Sequence, residues 1–210
     1  MARSKRTAQV RIIGGDWRGR RLAVLDRPGL RPTGDRARET LFNWLQGRVA
    51  GRRVADLFAG SGALGFEAAS RGAARVDLVE SDRRTADALK HAVHGWPGAE
   101  RVRVHTADAL DWLARLDVPI ESPGDASDTM SLDLVFVDPP FDAGLHAAAL
   151  RALAVPGRLA EGARVYVESD RRAPDPLDGA AAWSLLREKI QGDVRMQLAC
   201  LHRDEEPRPV

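Results

Sequence analysis

Apolar positions from residue 52 onward fall into short runs separated by stretches with helical spacing. The runs Arg53-Val-Ala-Asp-Leu-Phe, Arg75-Val-Asp-Leu-Val-Glu, Arg101-Val-Arg-Val-His-Thr, Leu132-Asp-Leu-Val-Phe-Val and Arg164-Val-Tyr-Val-Glu read as five strands. Between them the pattern predicts helices over about 64–71, 83–94, 109–116 and 145–154. Strands alternating with helices of this length build a parallel sheet with right-handed crossovers and helices on both faces. The end differs. Trp183 to Ile190 and Val194 to His202 are joined only by Gln191-Gly192-Asp193, too short for a helix, which predicts a hairpin with one antiparallel strand.

Ahead of this α/β pattern, residues 9–25 hold two β-prone runs around a Gly- and Arg-rich turn, the mark of a hairpin. Arg31-Pro-Thr-Gly-Asp then offers a helix start with Thr33 as N-cap, followed by Leu41, Phe42, Trp44 and Leu45 at helical spacing. Residues 1–50 therefore form an N-terminal appendage of hairpin and helix, 51–203 the α/β domain, and 204–210 a flexible tail. Residues 118–131 are polar and turn-rich and read as a surface loop.

Charge sharpens this division. The formal net charge is +2, with 32 Lys and Arg against 30 Asp and Glu. Residues 1–53 carry a local +10 and residues 54–210 a local −8. With 44% hydrophobic residues and 5 Trp the chain is too apolar to be disordered, and no apolar run approaches the ~18 residues a membrane helix needs. A soluble, cytoplasmic protein without a secretory signal is expected. Cys200, the single cysteine, excludes an internal disulfide and a Cys-type zinc site; it reads as a small buried hydrophobe. The five histidines show no ligand spacing, so no metal is expected.

Two turns carry the chemistry. Asp56-Leu-Phe-Ala-Gly-Ser-Gly-Ala-Leu-Gly lies between the first parallel strand and its helix, where Gly60 and Gly62 allow close approach of a ligand. No Gly-Lys-Ser/Thr follows, which argues against a triphosphate hydrolase. Asp56 is a poor neighbour for a pyrophosphate and a good one for an ammonium group. Glu80, twenty-four residues on, ends the second strand where a carboxylate holds ribose hydroxyls, and Asp108 ends the third. A ligand with a ribose, an amino group and no phosphate suggests S-adenosylmethionine. A tight strand-to-helix connection is the plainer alternative for the glycines alone.

The second turn, Asp138-Pro139-Pro140-Phe141, ends the fourth strand. Two prolines remove backbone donors and stiffen the chain, leaving the Asp138 carboxylate and nearby carbonyls as a rigid array of acceptors for an exocyclic amine, with Phe141 able to stack on its base. Such a turn can also simply end a strand and return Phe141 to the core. Arg11, Trp17, Arg18, Arg20, Arg21, Arg31, Arg36 and Arg38 form a third group, cations for phosphates with Trp17 as a stacking or anchoring face; a solvated basic face around a core Trp is the alternative. Glu168 ends the fifth strand, where it could face the cleft, and a surface carboxylate is the preferred reading.

Together, Arg11-Ile-Ile-Gly-Gly-Asp-Trp-Arg-Gly, Gly29-Leu-Arg-Pro-Thr-Gly-Asp-Arg-Ala-Arg-Glu-Thr-Leu-Phe-Asn-Trp-Leu, the Asp56 turn, Phe136-Val-Asp-Pro-Pro-Phe and Arg187-Glu-Lys resemble the small-subunit (16S) ribosomal RNA guanine-N2 methyltransferases of the RsmD type. The resemblance implies a class I S-adenosylmethionine-dependent methyltransferase: a Rossmann-like, seven-stranded, mostly parallel sheet of order 3-2-1-4-5-7-6 with strand 7 antiparallel. It implies methylation of one guanine of 16S rRNA on assembled or nearly assembled 30S particles, with S-adenosylhomocysteine as product; a monomer is expected. Carried over by position, Asp56, Phe58, Ala59, Gly60, Ser61, Gly62, Glu80, Ser81, Asp108, Ala109 and Asp138 would hold the cofactor, and Asp138, Pro139, Pro140 and Phe141 the guanine. The rival readings are a DNA amino-methyltransferase acting on adenine N6 or cytosine N4, which normally needs a larger target-recognition domain, and a non-catalytic RNA-binding assembly factor.

Overall fold

A computed structural model describes residues 9–23, 34–117, 131–140 and 144–202. Thr33, Arg31, Phe141, nearly all of the 118–131 loop and the 204–210 tail, each singled out from sequence, lie outside these residues. The chain opens with β1 (Gln9–Arg11) and β2 (Arg21–Ala23), paired antiparallel, and α1 (Asp35–Trp44). It continues through β3 (Arg53–Asp56), α2 (Ala63–Ser70), β4 (Arg75–Glu80), α3 (Arg83–Ala92), β5 (Val102–Thr106), α4 (Ala109–Ala114), β6 (Leu132–Val137), α5 (Leu145–Leu153), β7 (Leu159–Asp170), β8 (Trp183–Gln191) and β9 (Val194–Leu201).

The second sheet has the order β5-β4-β3-β6-β7-β9-β8. Counted from β3, this is the expected 3-2-1-4-5-7-6, and β9 runs antiparallel to both neighbours. Alternation along each strand sorts side chains onto two faces. Val54, Leu78, Phe136 and Tyr166 pack under α1, α2 and α3, while Ala55, Val79, Val135 and Val167 pack under α4 and α5. Burial on both faces is why these strands read as nearly continuous apolar runs. The fifth strand is longer than the 164–168 run suggests: β7 starts at Leu159, and a register irregularity between the Leu132 and Leu134 pairs lets Glu161 and Gly162 interrupt the apolar pattern without ending the strand.

The N-terminal segment departs from the parallel topology but not from the core. Val10, Ile12, Trp17 and Leu22 of the hairpin region and Ala37, Leu41, Phe42 and Leu45 of the first helix belong to the same buried cluster as Phe66 and Phe136. Edge-to-face contacts join Phe42 to Phe136 and Phe136 to Tyr166, with centroids 6.1 and 6.3 Å apart, so α1 is stapled to the centre of the sheet. The helix starts at Asp35 after an N-cap, Gly34, that makes no side-chain capping bond.

Candidate active site

The strand order reverses between β3 and β6, so the crevice at their carboxyl ends is where an open α/β sheet binds ligands. The Gly-rich turn fills this position. Past the end of β3, Leu57 N–H donates to Phe136 O at 3.1 Å and Ala59 N–H to Val79 O at 2.9 Å, which pins the turn to both neighbouring strands. Gly62, at φ 73°, is the N-cap of α2, and a Cβ there would stand 2.4 Å from the Phe66 ring. Only glycine fits. Gly65 follows three residues later, giving the turn a full Gly-x-Gly-x-x-Gly spacing.

The acidic strand ends divide into different roles. Asp56 is 2% exposed, and its Oδ2 accepts from Gly65 N–H at 3.0 Å, so it holds the turn from beneath. Glu80 is half-buried at the end of β4; Oε2 accepts from Gly60 N–H at 3.0 Å and Oε1 from Asp82 N–H at 2.8 Å. Each carboxylate oxygen has capacity for a further bond, which suits a vicinal diol. Ser61 is half-buried and Ser81 exposed beside them. Asp108 is exposed and caps α4, its Oδ1 accepting from Leu110 and Asp111 N–H at 2.8 and 3.2 Å, with Ala109 buried behind it. Phe58 is half-buried and Ala59 buried, flanking the turn.

Burial raises the Asp56 carboxyl from 3.8 to about 7; the Glu80 charge adds to the rise, and the Gly65 and Phe58 N–H groups oppose it. The unfolded chain releases this proton near 3.8 and the folded chain retains it to about 7. Folding therefore takes up a proton across that window, and this group's contribution to stability is lost as pH rises from about 4 to about 7. In Asp56→Asn, urea denaturation of the ligand-free protein should show less loss of stability over that interval than wild type, by on the order of 3 kcal/mol. Parallel pH curves for the two proteins would exclude the assignment.

Asp138 and Pro139 follow β6 directly, one residue beyond the Val137–Val167 pair, with Asp138 half-buried and Pro140 exposed. Beside them, the buried Tyr166 hydroxyl donates to Glu168 Oε2 at 2.8 Å. Burial, then the Glu168 carboxylate and the Asp138 charge, hold the Tyr166 hydroxyl well above its usual range, so it stays a donor. Glu168 is 5% exposed, a correction to its reading as a surface carboxylate: the strand continues to Asp170 and carries it inside. His146 Nε2 lies 2.8 Å from the Glu168 carbonyl oxygen, its basicity lowered by burial. Cys200 is half-buried.

The basic segment splits in two. Arg11, Arg18, Arg20, Arg21 and Arg36 are exposed. Trp17 and Arg38 are not available to RNA, contrary to the expectation from sequence. Trp17 is 2% exposed, its Nε1–H donates to Pro97 O at 2.8 Å, and its ring packs edge-on against Trp96. Arg38 is fully buried; Nη2 donates to Arg11 O and Asp35 Oδ1, and Nη1 lies 3.5 Å from Glu67 Oε2.

Glu67, which sequence reasoning passed over, is the anchor of this arrangement. It is fully buried on α2 and accepts from Ile13 N–H and Gly14 N–H, both at 2.8 Å, and from Arg71 Nε at 2.8 Å. Three residues on, Ser70 Oγ accepts from Trp17 N–H and its carbonyl accepts from Asp16 N–H. A Cβ on Gly15, at φ 76°, would meet Ser70 O at 1.8 Å, so the loop approaches the helix as closely as backbone can. The Gly14-Gly15-Asp16-Trp17 loop thus seats on the same helix whose N-terminus closes the Gly-rich turn. Glu67 sits in an apolar helix, Ala63–Ser70, and a lone carboxylate there was the available signal.

The family described as Conserved hypothetical protein 95 matches residues 10–200. The chain is 44% identical over 192 residues to ribosomal RNA small subunit methyltransferase D of Escherichia coli, covering 91% of this chain and 90% of that one. It is 41% identical over 191 residues to the Haemophilus influenzae protein of the same name, covering 90% and 93%. A solved structure from Escherichia coli, provisionally described as a methyltransferase, superposes with a TM-score of 0.76 at 43% identity, covering 94% of this chain and all of that one. Among the described residues no helix is long and apolar enough to cross a membrane, and no cluster of three or more His, Cys, Asp or Glu could hold a metal ion.

Proposed function

The chain belongs to the ribosomal RNA small subunit methyltransferase D family, and we propose that it methylates the exocyclic N2 amine of one guanine in 16S rRNA, on assembled or nearly assembled 30S particles. The observation that carries this reading is the convergence of the Gly-rich turn, Glu80 and Asp138-Pro139 on one end of the sheet, around the point where its strand order reverses. On this reading the protein acts as a cytoplasmic monomer.

The residues present fit S-adenosylmethionine. Glu80 offers two partly committed oxygens to a ribose diol, Asp108 and Ala109 stand at the next strand end for an adenine, and Asp56 keeps the Gly60–Gly62 turn in place under the ligand. When bound, the cofactor supplies a methyl group activated by its sulfonium. The chain then has to align and to exclude competing donors. Pro139 and Pro140 present no N–H, so the acceptors at this turn face an amine without competition. The Asp138 carboxylate accepts a hydrogen bond from the amine, raising electron density on the nitrogen, and takes its proton as the new N–C bond forms. The exposed Arg11, Arg18, Arg20, Arg21 and Arg36 hold rRNA phosphates, which makes binding fall steeply with salt.

The test is to incubate the protein and labelled S-adenosylmethionine with undermodified small subunits, naked 16S rRNA and duplex DNA, then map the label. Label on a single guanine N2 in the particle is expected. Label on duplex DNA alone overturns the proposal, and label on naked rRNA but not on particles overturns the assembled-substrate part of it.

A further inference from the structure

The Arg187-Glu-Lys segment has no place in the chemistry described above, and the structure brings it to the side of α1. Lys189 Nζ donates to Thr40 Oγ at 3.0 Å, joining residues 149 apart in sequence. Between the two elements lies an open cleft of about 440 Å³ lined by Arg36, Glu39, Thr40, Asn43, Lys189 and Gln191. Every side chain in it is polar. All but Thr40 and Gln191, which are half-buried, are exposed.

Strand register fixes where this cleft stands relative to Asp138. Glu168 pairs with Met196, and Met196 with Lys189. Val137 pairs with Val167, so Asp138 comes level with Glu168 in the same row. Paired residues share a face, and Tyr166 and Met196 pack in the cluster under α1, so the row crosses the sheet on that side. Lys189 is thus at the same end of the sheet as the acceptor turn and three strands away, roughly 14 Å at a strand spacing of ~4.8 Å. A few nucleotides of single-stranded RNA span that distance.

We infer that the α1–β8 cleft is a second nucleotide subsite, which holds a single-stranded rRNA nucleotide flanking the one seated at Asp138. This rests on the proposed function and extends it. The chemistry is that of edge and phosphate recognition. Asn43 and Gln191 carboxamides each donate and accept, as a base edge requires, Glu39 accepts from a base amine, and Arg36 and Lys189 neutralise the flanking phosphates. The absence of an aromatic among the six lining residues means that hydrogen bonding rather than stacking selects the base. Arg36 in this cleft and the hairpin arginines Arg11, Arg18, Arg20 and Arg21 are all exposed cations of the N-terminal segment.

Two variants test the subsite, with thermal melting and S-adenosylmethionine affinity measured alongside as controls for folding and the cofactor site. Lys189→Glu should raise KM for undermodified particles about 10-fold and flatten the salt dependence of binding by about one charge, with the cofactor affinity unchanged. Asn43→Ala should raise KM several-fold at an unchanged salt slope, because it removes an edge contact and no charge. Wild-type activity on particles combined with unaltered KM in both variants overturns the subsite alone. A wild-type protein that labels no small-subunit rRNA overturns the proposed function and the subsite with it. To identify the occupant, a photo-crosslinker can be attached to Asn43→Cys in a Cys200→Ser background. A crosslink to an rRNA nucleotide near the methylated guanine supports the inference, and one confined to a ribosomal protein overturns it.

Discussion

Asp138→Ala should lower the rate constant for methyl transfer by about 10²- to 10⁴-fold while S-adenosylmethionine affinity stays nearly intact. The expectation follows from the construction of the turn. Pro139 and Pro140 offer no backbone donor, so on the proposed reading an amine seated there would meet acceptors, of which the carboxylate is the charged one. The side chain stands at the end of a strand buried on both faces, one residue past the Val137–Val167 pair, so its position is inherited from the core. Alanine leaves the strand and prolines in place and removes only the acceptor. Single-turnover rates on particles, with cofactor binding by calorimetry, separate the two effects. A variant of full activity would take Asp138 out of the mechanism. Asp138→Asn refines the result: a carboxamide oxygen still accepts from the amine but takes no proton, so a small loss assigns Asp138 to orientation and a loss as large as alanine's assigns it to proton removal.

The largest expected loss of stability is at Glu67, remote from any reacting atom. Glu67→Ala should destabilise the fold by about 3–5 kcal/mol, the usual cost of removing one partner of a buried ion pair. Ile13 and Gly14 N–H would lose their acceptor, and Arg38, with a fully buried side chain, would lose the Glu67 carboxylate from beside its guanidinium. Chemical denaturation measures the loss directly. Glu67→Gln, which keeps an acceptor oxygen while removing the charge, should lie between wild type and alanine. A loss below about 1 kcal/mol for alanine would show that apolar packing of Trp17, Leu41 and Phe42 seats the N-terminal segment without the clamp.

The placement of most of the candidate site is legible in the sequence. The Gly60–Gly62 turn, Glu80 and the Asp138-Pro139-Pro140 turn are local in sequence, and each stands at a strand end, which apolar periodicity already locates. The exposed arginines were equally legible as charge. Trp17 and Arg38 were not, because a composition of Arg and Gly around a Trp describes a docking surface and a buried clamp equally well. What separates them is the partner each finds: Pro97 for the indole and Glu67 for the guanidinium, 80 and 29 residues away. The preferred surface reading of Glu168 failed for a related reason, since its burial depends on the length of β7 and on the Tyr166 hydroxyl that donates to its carboxylate.

The amino-acid sequence by itself determined the fold class, the strand order through its family resemblance, and the residues at the ends of the strands, since hydrophobic period and turn chemistry are properties of neighbours along the chain. Only the tertiary structure decided which cations face solvent and which are buried, that the N-terminal segment shares its core with the sheet through Glu67, and that Lys189 meets α1. These outcomes depend on pairings between residues far apart in the chain, where burial of a charge is tolerated only if a partner arrives with it.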